Sequence, residues 1–233
     1  MANQVKQTET EYELIENPDA LADRLSQSEE YLKKNKNLLF GLLGGIALVI
    51  AGAFYYFSVK NTKANDAQRD MFQAVYYFEQ DSLAKALNGD GQAMGLLKIA
   101  DEYSGTPAAN LAHFYIGVAQ LKQGKYQEAL DHLEDFSSDD ALVQARAYSL
   151  MGDAQSELGK HQEAADLYVK AANHKANKFF SPQYLMKAGL AFELAKNYNS
   201  ATEVYDKIVN DFPEAVEVAD AKKYKARAEG LKG

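Results

Sequence analysis

Four histidines, His113, His132, His161 and His174, are the side chains of this chain best able to hold a metal or carry a proton near neutral pH. No two stand four residues apart, so no helix face would offer a zinc-binding pair, and no H-E-x-x-H occurs. Each falls at a scaffold position of the repeats described below or in a loop, where packing is the expected role. There is no cysteine, which removes disulfides, thiolate metal sites, thiol catalysis and a lipid-modified cysteine together. Asn88-Gly89-Asp90-Gly91 holds an aspartate among glycines but lacks the alternating oxygen ligands of a calcium loop, and reads as a flexible turn. Asp131, Glu134, Asp135, Asp139 and Asp140 cluster at one repeat's end; a basic partner could use them, but a solvated helix end explains them as simply. No phosphate-binding loop, nucleophile elbow or carboxylate pair stands out. The expectation is therefore no catalytic residue, no cofactor and no metal: a protein that binds rather than reacts.

Composition narrows the class further. The net charge of -8 argues against nucleic-acid binding. A quarter of the chain is charged and nearly half is apolar, as in folded proteins. Four prolines in 233 residues favour helix, whose interior tolerates proline least.

One segment decides where those elements must work. Leu38 to Val59 reads LLFGLLGGIALVIAGAFYYFSV, with no charge. At 1.5 Å per residue it is roughly 33 Å long, enough for a hydrocarbon core, and predicts a membrane helix over 37–60. Lys33, Lys34 and Lys36 flank one end, Lys60 and Lys63 the other. Phe54, Tyr55, Tyr56 and Phe57 gather at the C-terminal end, where such rings favour the lipid–water boundary. Ala51-Gly52-Ala53 resembles a signal-peptidase site. Against cleavage, more than thirty residues precede the apolar run, and they include Glu9, Glu11, Glu13, Glu16, Asp19 and Asp23 rather than a short basic region. A retained anchor is the better reading. Arg24, Lys33, Lys34 and Lys36 on one side against Lys60, Lys63 and Arg69 on the other lean slightly towards a cytoplasmic N-terminus. Gly41 and Gly45 form a GxxxG that could pack another membrane helix, although glycine is common in such helices in any case.

Residues 1–36 form a tail. The first sixteen are polar and acidic, and disorder is expected of them. Asn17 suits a helix cap and Pro18 the first helical position. Leu21, Leu25 and Leu32 then mark a short amphipathic helix leading into the membrane, which could lie on the bilayer, bind a partner or simply extend the anchor.

Residues 61–233 carry internal repeats. HFYIGVAQLKQGKYQEALDHLEDF from His113, YSLMGDAQSELGKHQEAADLYVKA from Tyr148 and LMKAGLAFELAKNYNSATEVYDKI from Leu185 align without gaps. Gly117, Gly152 and Gly189 recur in register, as do Ala129, Ala164 and Ala201. This resembles the tetratricopeptide repeat, a helix–turn–helix of about 34 residues. The resemblance implies that these small residues let paired helices approach, and that Gly124 and Gly159 close the turns in a left-handed conformation. Tyr126, His161 and Tyr198 would fill the space beside the turn, and Pro213 ends the third hairpin. Lys196 stands where the third turn glycine belongs, and His161 where tyrosine is usual. Residues 62–104 read as an incomplete first hairpin, with one long helical pattern up to the break at 88–91, and Ala215 to Leu231 as a capping helix. The fold class expected is all-α: a transmembrane helix, then an α-solenoid of about seven to nine helices.

By the same resemblance, the first helix of each hairpin lines a concave face. Its positions here are Leu111, Phe114, Val118 and Leu121, then Arg146, Ser149, Asp153 and Ser156, then Gln183, Met186, Leu190 and Glu193. The apolar members suit a groove for extended or helical segments; alternatively Phe114 and Val118 pack against the incomplete first hairpin.

A short acidic tail, a glycine-rich anchor, an aromatic helix (MFQAVYYF) and degenerate repeats containing AANLAHFYIGVAQLKQGKYQEAL and SPQYLMKAGLAFELAKNY together resemble the ancillary-subunit family of the Sec translocon. That family crosses the bacterial inner membrane once, with its repeats in the periplasm. The resemblance implies a non-enzymatic adaptor or co-chaperone. Its partners would be translocon subunits, a periplasmic chaperone of the peptidyl-prolyl isomerase type and exported chains, with no nucleic acid and no small-molecule substrate. A periplasmic scaffold for envelope assembly or division is the alternative.

Overall fold

The computed structural model describes residues 18–232; the acidic tail and its Asn17 cap lie outside the described residues. Eleven helices and no strand occur among the described residues, and Gly89 and Met94 form an isolated bridge. The chain divides into two compact units at Val59/Lys60.

In the first unit, α1 (Pro18–Lys34) ends at Asn35, whose side-chain amide donates to the Tyr31 carbonyl at 3.0 Å. Leu25, Tyr31 and Leu32 are exposed on it. Helix α2 (Lys36–Glu79) follows. Among the described residues it alone is long and apolar enough to cross a membrane, and no residue of that apolar stretch is buried. Leu48 and Phe54 are each 76 % exposed, which in water would leave a large apolar surface uncovered. The unit boundary falls inside α2, so the helix does not end where the apolar run does.

In the second unit, α2 changes character because its sequence does. Ala67, Met71 and Ala74 recur at spacings of four and three and are buried, while Phe72 between them is exposed. They pack with α3 (Leu83–Asn88), α4 (Leu96–Glu102) and α5 (Pro107–Lys122) around Leu96, Ile99 and Ile116. The long helical pattern expected through residue 87 breaks at Gln80–Ser82, where Asp81 takes a positive φ of 56°. Among the described residues nine helices begin beyond residue 62, within the seven to nine expected, and the short α3 stands apart from the long helical pattern with which it was read.

The segment 88–91 is also more ordered than a flexible turn. The Asp90 carboxylate accepts from the amides of Gln92 and Ala93, at 2.9 and 2.8 Å, and from the Tyr77 hydroxyl at 2.6 Å. These donors, the Ala93 amide foremost, hold its pKa down to about 2. A Cβ on Gly95 would strike the backbone of Leu87 to Gly89, so the loop's two ends touch main chain to main chain.

The three aligned stretches become three hairpins: α5 with α6 (Tyr126–Asp135), α7 (Ala141–Glu157) with α8 (His161–Asn173), and α9 (Ser181–Leu194) with α10 (Tyr198–Asp211). Two of the first helices start on side-chain caps that the repeat pattern did not mark. The Thr106 hydroxyl accepts from Ala109 N, with Pro107 at the first position, and Asp140 accepts from Leu142 N and Val143 N. Each hairpin turns alike. The amides of Lys125, Lys160 and Asn197 reach back five residues to the carbonyls of Gln120, Gln155 and Phe192. The residue before each is left-handed: Gly124 (φ 74°), Gly159 (φ 76°) and Lys196 (φ 60°). Lys196 thus keeps the glycine's conformation, at a cost of about 1–2 kcal/mol for an L-residue.

Helix α11 (Val218–Gly230) closes the stack, three residues later than the sequence pattern suggests. It buries only Ala221 and Ala228, and Tyr224 packs beside Tyr205, leaving a largely polar outer side as a terminal cap requires.

Candidate partner-binding face

The hairpins are built on one contact that the alignment did not single out. A Cβ on Gly117 would meet Leu133, one on Gly152 would lie 2.7 Å from the Tyr168 ring, and one on Gly189 would strike the Tyr205 ring. In each case the partner lies sixteen residues on, one turn beyond Ala129, Ala164 or Ala201, all of which are fully buried. The glycine therefore admits a bulky side chain, and the alanine clears the turn before it.

Those tyrosines fix the polar residues of the face. The Tyr168 hydroxyl donates to Asp153 at 2.6 Å, and Lys187 Nζ of α9 donates to the same carboxylate at 2.8 Å. Burial first, then this hydrogen bond, raises the Tyr168 pKa well above its usual range. One hairpin further, the Tyr205 hydroxyl donates to Glu193 at 2.8 Å, and Arg227 of α11 forks onto that carboxylate at 2.8 and 2.9 Å. Asp153 and Glu193 are thus engaged within the chain, the first joining the second hairpin to the third and the second joining the third hairpin to the capping helix.

The expected face divides accordingly. Leu111 (38 % exposed), Arg146 and Leu190 (39 % exposed) are open to a partner. Phe114, Val118 and Leu121 are half-buried against Leu130, Leu133, Leu150 and Met151. They join the core that the first hairpin shares with the second. Phe114 also meets Phe136 with ring centroids 5.1 Å apart. Met186 packs on the core of the third hairpin, and Ser149 is fully buried with its hydroxyl 3.4 Å from Lys187 Nζ. Beside Arg146 stand Leu142 and Phe180, at 51 and 40 % exposure, which repeat positions alone did not mark. In the other unit, no atom comes near an added Cβ at Gly41 or Gly45.

The histidines hold one arrangement that spacing hid. His113 of α5 and His132 of α6 bring their Nδ1 atoms within 3.1 Å, and Asp135 lies 3.8 Å from His113. Among the described residues no three or more potential ligands gather to hold a metal. Burial, then the neighbouring His113, lowers the His132 pKa, against the pull of Asp135, Asp131 and Glu128. A histidine with a lowered folded pKa binds fewer protons folded than unfolded. Stability should therefore fall as pH drops below about 6.5 and level off below the folded pKa. Thermal melts of a His132→Asn variant should show a flatter pH 5–7 dependence than the parent; an unchanged slope would mean that His132 does not contribute in this way. The acidic cluster around them has local work: Asp131 accepts from Gln127, and Asp140 caps α7.

The comparison with known families agrees with this geometry. The tetratricopeptide-repeat model matches residues 111–140 and 183–215, the first and third hairpins. The second shows the same turn and, like the third, a glycine–tyrosine contact. The chain therefore carries tetratricopeptide repeats, units that serve as protein–protein interaction scaffolds and are generally not catalytic. No curated protein matches the chain.

Proposed function

We propose that this protein is a membrane-anchored adaptor of the bacterial inner membrane. Its N-terminus lies in the cytoplasm, and its repeat unit binds other proteins in the periplasm. The observation that carries this reading is the pairing of two features in one chain. An apolar helical stretch that no described residue buries stands in the same chain as hairpins of the tetratricopeptide type. The first asks for lipid, the second for protein partners.

The partners are translocon subunits, a periplasmic peptidyl-prolyl isomerase-type chaperone and exported chains. Support for these comes from the likeness of tail, anchor and repeats to the translocon's ancillary subunits. On this reading the protein hands newly exported chains from channel to chaperone by contact alone.

Photo-crosslinking in native membranes tests it, with benzophenone side chains at Leu111 and Arg146, both exposed. Channel subunits and a periplasmic chaperone should dominate the captured species. Their absence, together with loss of channel subunits from mild-detergent extracts, would sink the translocon assignment. Concentration of the tagged protein at division sites would favour a scaffold for envelope assembly instead.

A further inference from the structure

Between the second and third hairpins lies a pocket of about 250 Å3. Ala145 of α7, Ala171 of α8, and Ser181 and Tyr184 of α9 are its buried members; Leu142 and Phe180 stand half in solvent, and Arg146 is exposed. The volume falls short of the roughly 300–1,000 Å3 of small-molecule sites and suits one large apolar side chain.

Among the residues that line it, charge rests on a single group. Arg146 has neither an ion pair nor a hydrogen bond to any described residue, unlike Lys187 and Arg227 on the same face. Its charge opposes the rise that burial gives the Tyr184 pKa, which puts the guanidinium within electrostatic reach of the pocket floor. Asp153, the acid that also acts on Tyr184, is engaged by Tyr168 and Lys187. Lys175 and Lys178, on the adjoining loop, add positive charge to a chain whose net charge is -8.

The backbone around the pocket has little left to offer an anion. Asn177 Oδ1 already accepts from the amides of Phe179 and Phe180, at 3.0 and 2.9 Å. The Asn177 amide donates to Ser181 Oγ, and the Ser181 amide donates to the Asn177 carbonyl. A chain-terminal carboxylate, which backbone amides commonly hold, finds no such cradle in this loop.

We propose that the pocket takes an internal partner segment in which one large apolar side chain fills the cavity and an adjacent Asp or Glu side chain pairs with Arg146. The proposal rests on reading this face as protein-binding and adds the chemistry of what binds there. A guanidinium suits the task because its fork can grip a carboxylate through two hydrogen bonds.

The test uses the full chain in nanodiscs and fluorescent peptides with acetylated N-termini and amidated C-termini. Glycine and serine flank a central Phe-Glu, Phe-Gln or Ala-Glu. The Phe-Glu peptide should bind about fivefold tighter than Phe-Gln, the scale of a solvent-exposed ion pair. It should also outbind Ala-Glu. Arg146→Gln, at an exposed position, should abolish the Glu-over-Gln preference while leaving the circular dichroism unchanged. The proposal is overturned if no peptide binds, if the preference survives in Arg146→Gln, or if binding needs a free C-terminal carboxylate. Continued crosslinking from Leu111 in any of those cases would leave the adaptor reading standing and remove only the pocket.

Discussion

Gly189→Ala should destabilise the repeat unit, although alanine is the better helix former. On propensity alone the change gains about 1 kcal/mol. Here the added methyl would strike the Tyr205 ring, which has nowhere to go. Tyr205 is fully buried, donates to Glu193 at 2.8 Å and packs beside Tyr224. Overpacking of this kind costs about 1–3 kcal/mol, more where neighbours cannot yield, so a net loss of about 1–2 kcal/mol is expected. For a unit of this size that is a fall of about 2–8 °C in Tm. Gly152→Ala, against the Tyr168 ring, should behave alike; Gly117→Ala should cost less, since the atoms it meets first belong to the more adaptable Leu133. Gly230→Ala is the control, because nothing lies within 4 Å of its added Cβ. Thermal melts by circular dichroism decide the matter. A rise in Tm for Gly189→Ala would refute the close-contact account of the hairpin.

Charging the anchor should have the other large effect. Leu48 and Val49 are 76 and 72 % exposed, so replacing both with arginine removes no packing within the chain. In lipid each arginine near a helix centre costs about 2.5–3.5 kcal/mol on insertion scales, or about 5–7 kcal/mol for the pair. The double variant should therefore leave the carbonate-washed membrane pellet, while the repeat unit keeps its helical signal. Undiminished retention in the pellet would mean that Leu38 to Val59 is not what holds the protein to the membrane.

Much of this architecture was legible because its cause is local. A charge-free run of membrane length declares itself residue by residue, as do the left-handed turns at Gly124 and Gly159. The shared register of Gly117, Gly152 and Gly189 was legible too, since repetition exposes it without any knowledge of what it packs against. The break at Gln80–Ser82 was not, because the residues around it keep a helical pattern and no glycine or proline marks the turn. Asp90 read as part of a flexible turn because its ordering depends on Tyr77, thirteen residues earlier.

The candidate face shows the division most clearly. Sequence alone placed Leu111, Arg146 and Leu190 on the first helices of their hairpins, but it gave Ser149 and Asp153 the same standing. The fold buries the first and ties the second to Lys187. It likewise joins His113 to His132 across nineteen residues and leaves Arg146 unpaired above a small apolar pocket. Helix periodicity and turn chemistry act over a few residues, so the sequence by itself determined the long apolar stretch, the hairpins and their order. Which polar groups pair and which stay free depends on helices tens of residues apart meeting at hydrogen-bond distance. Only the tertiary structure decided that, and with it the part of the face left open to a partner.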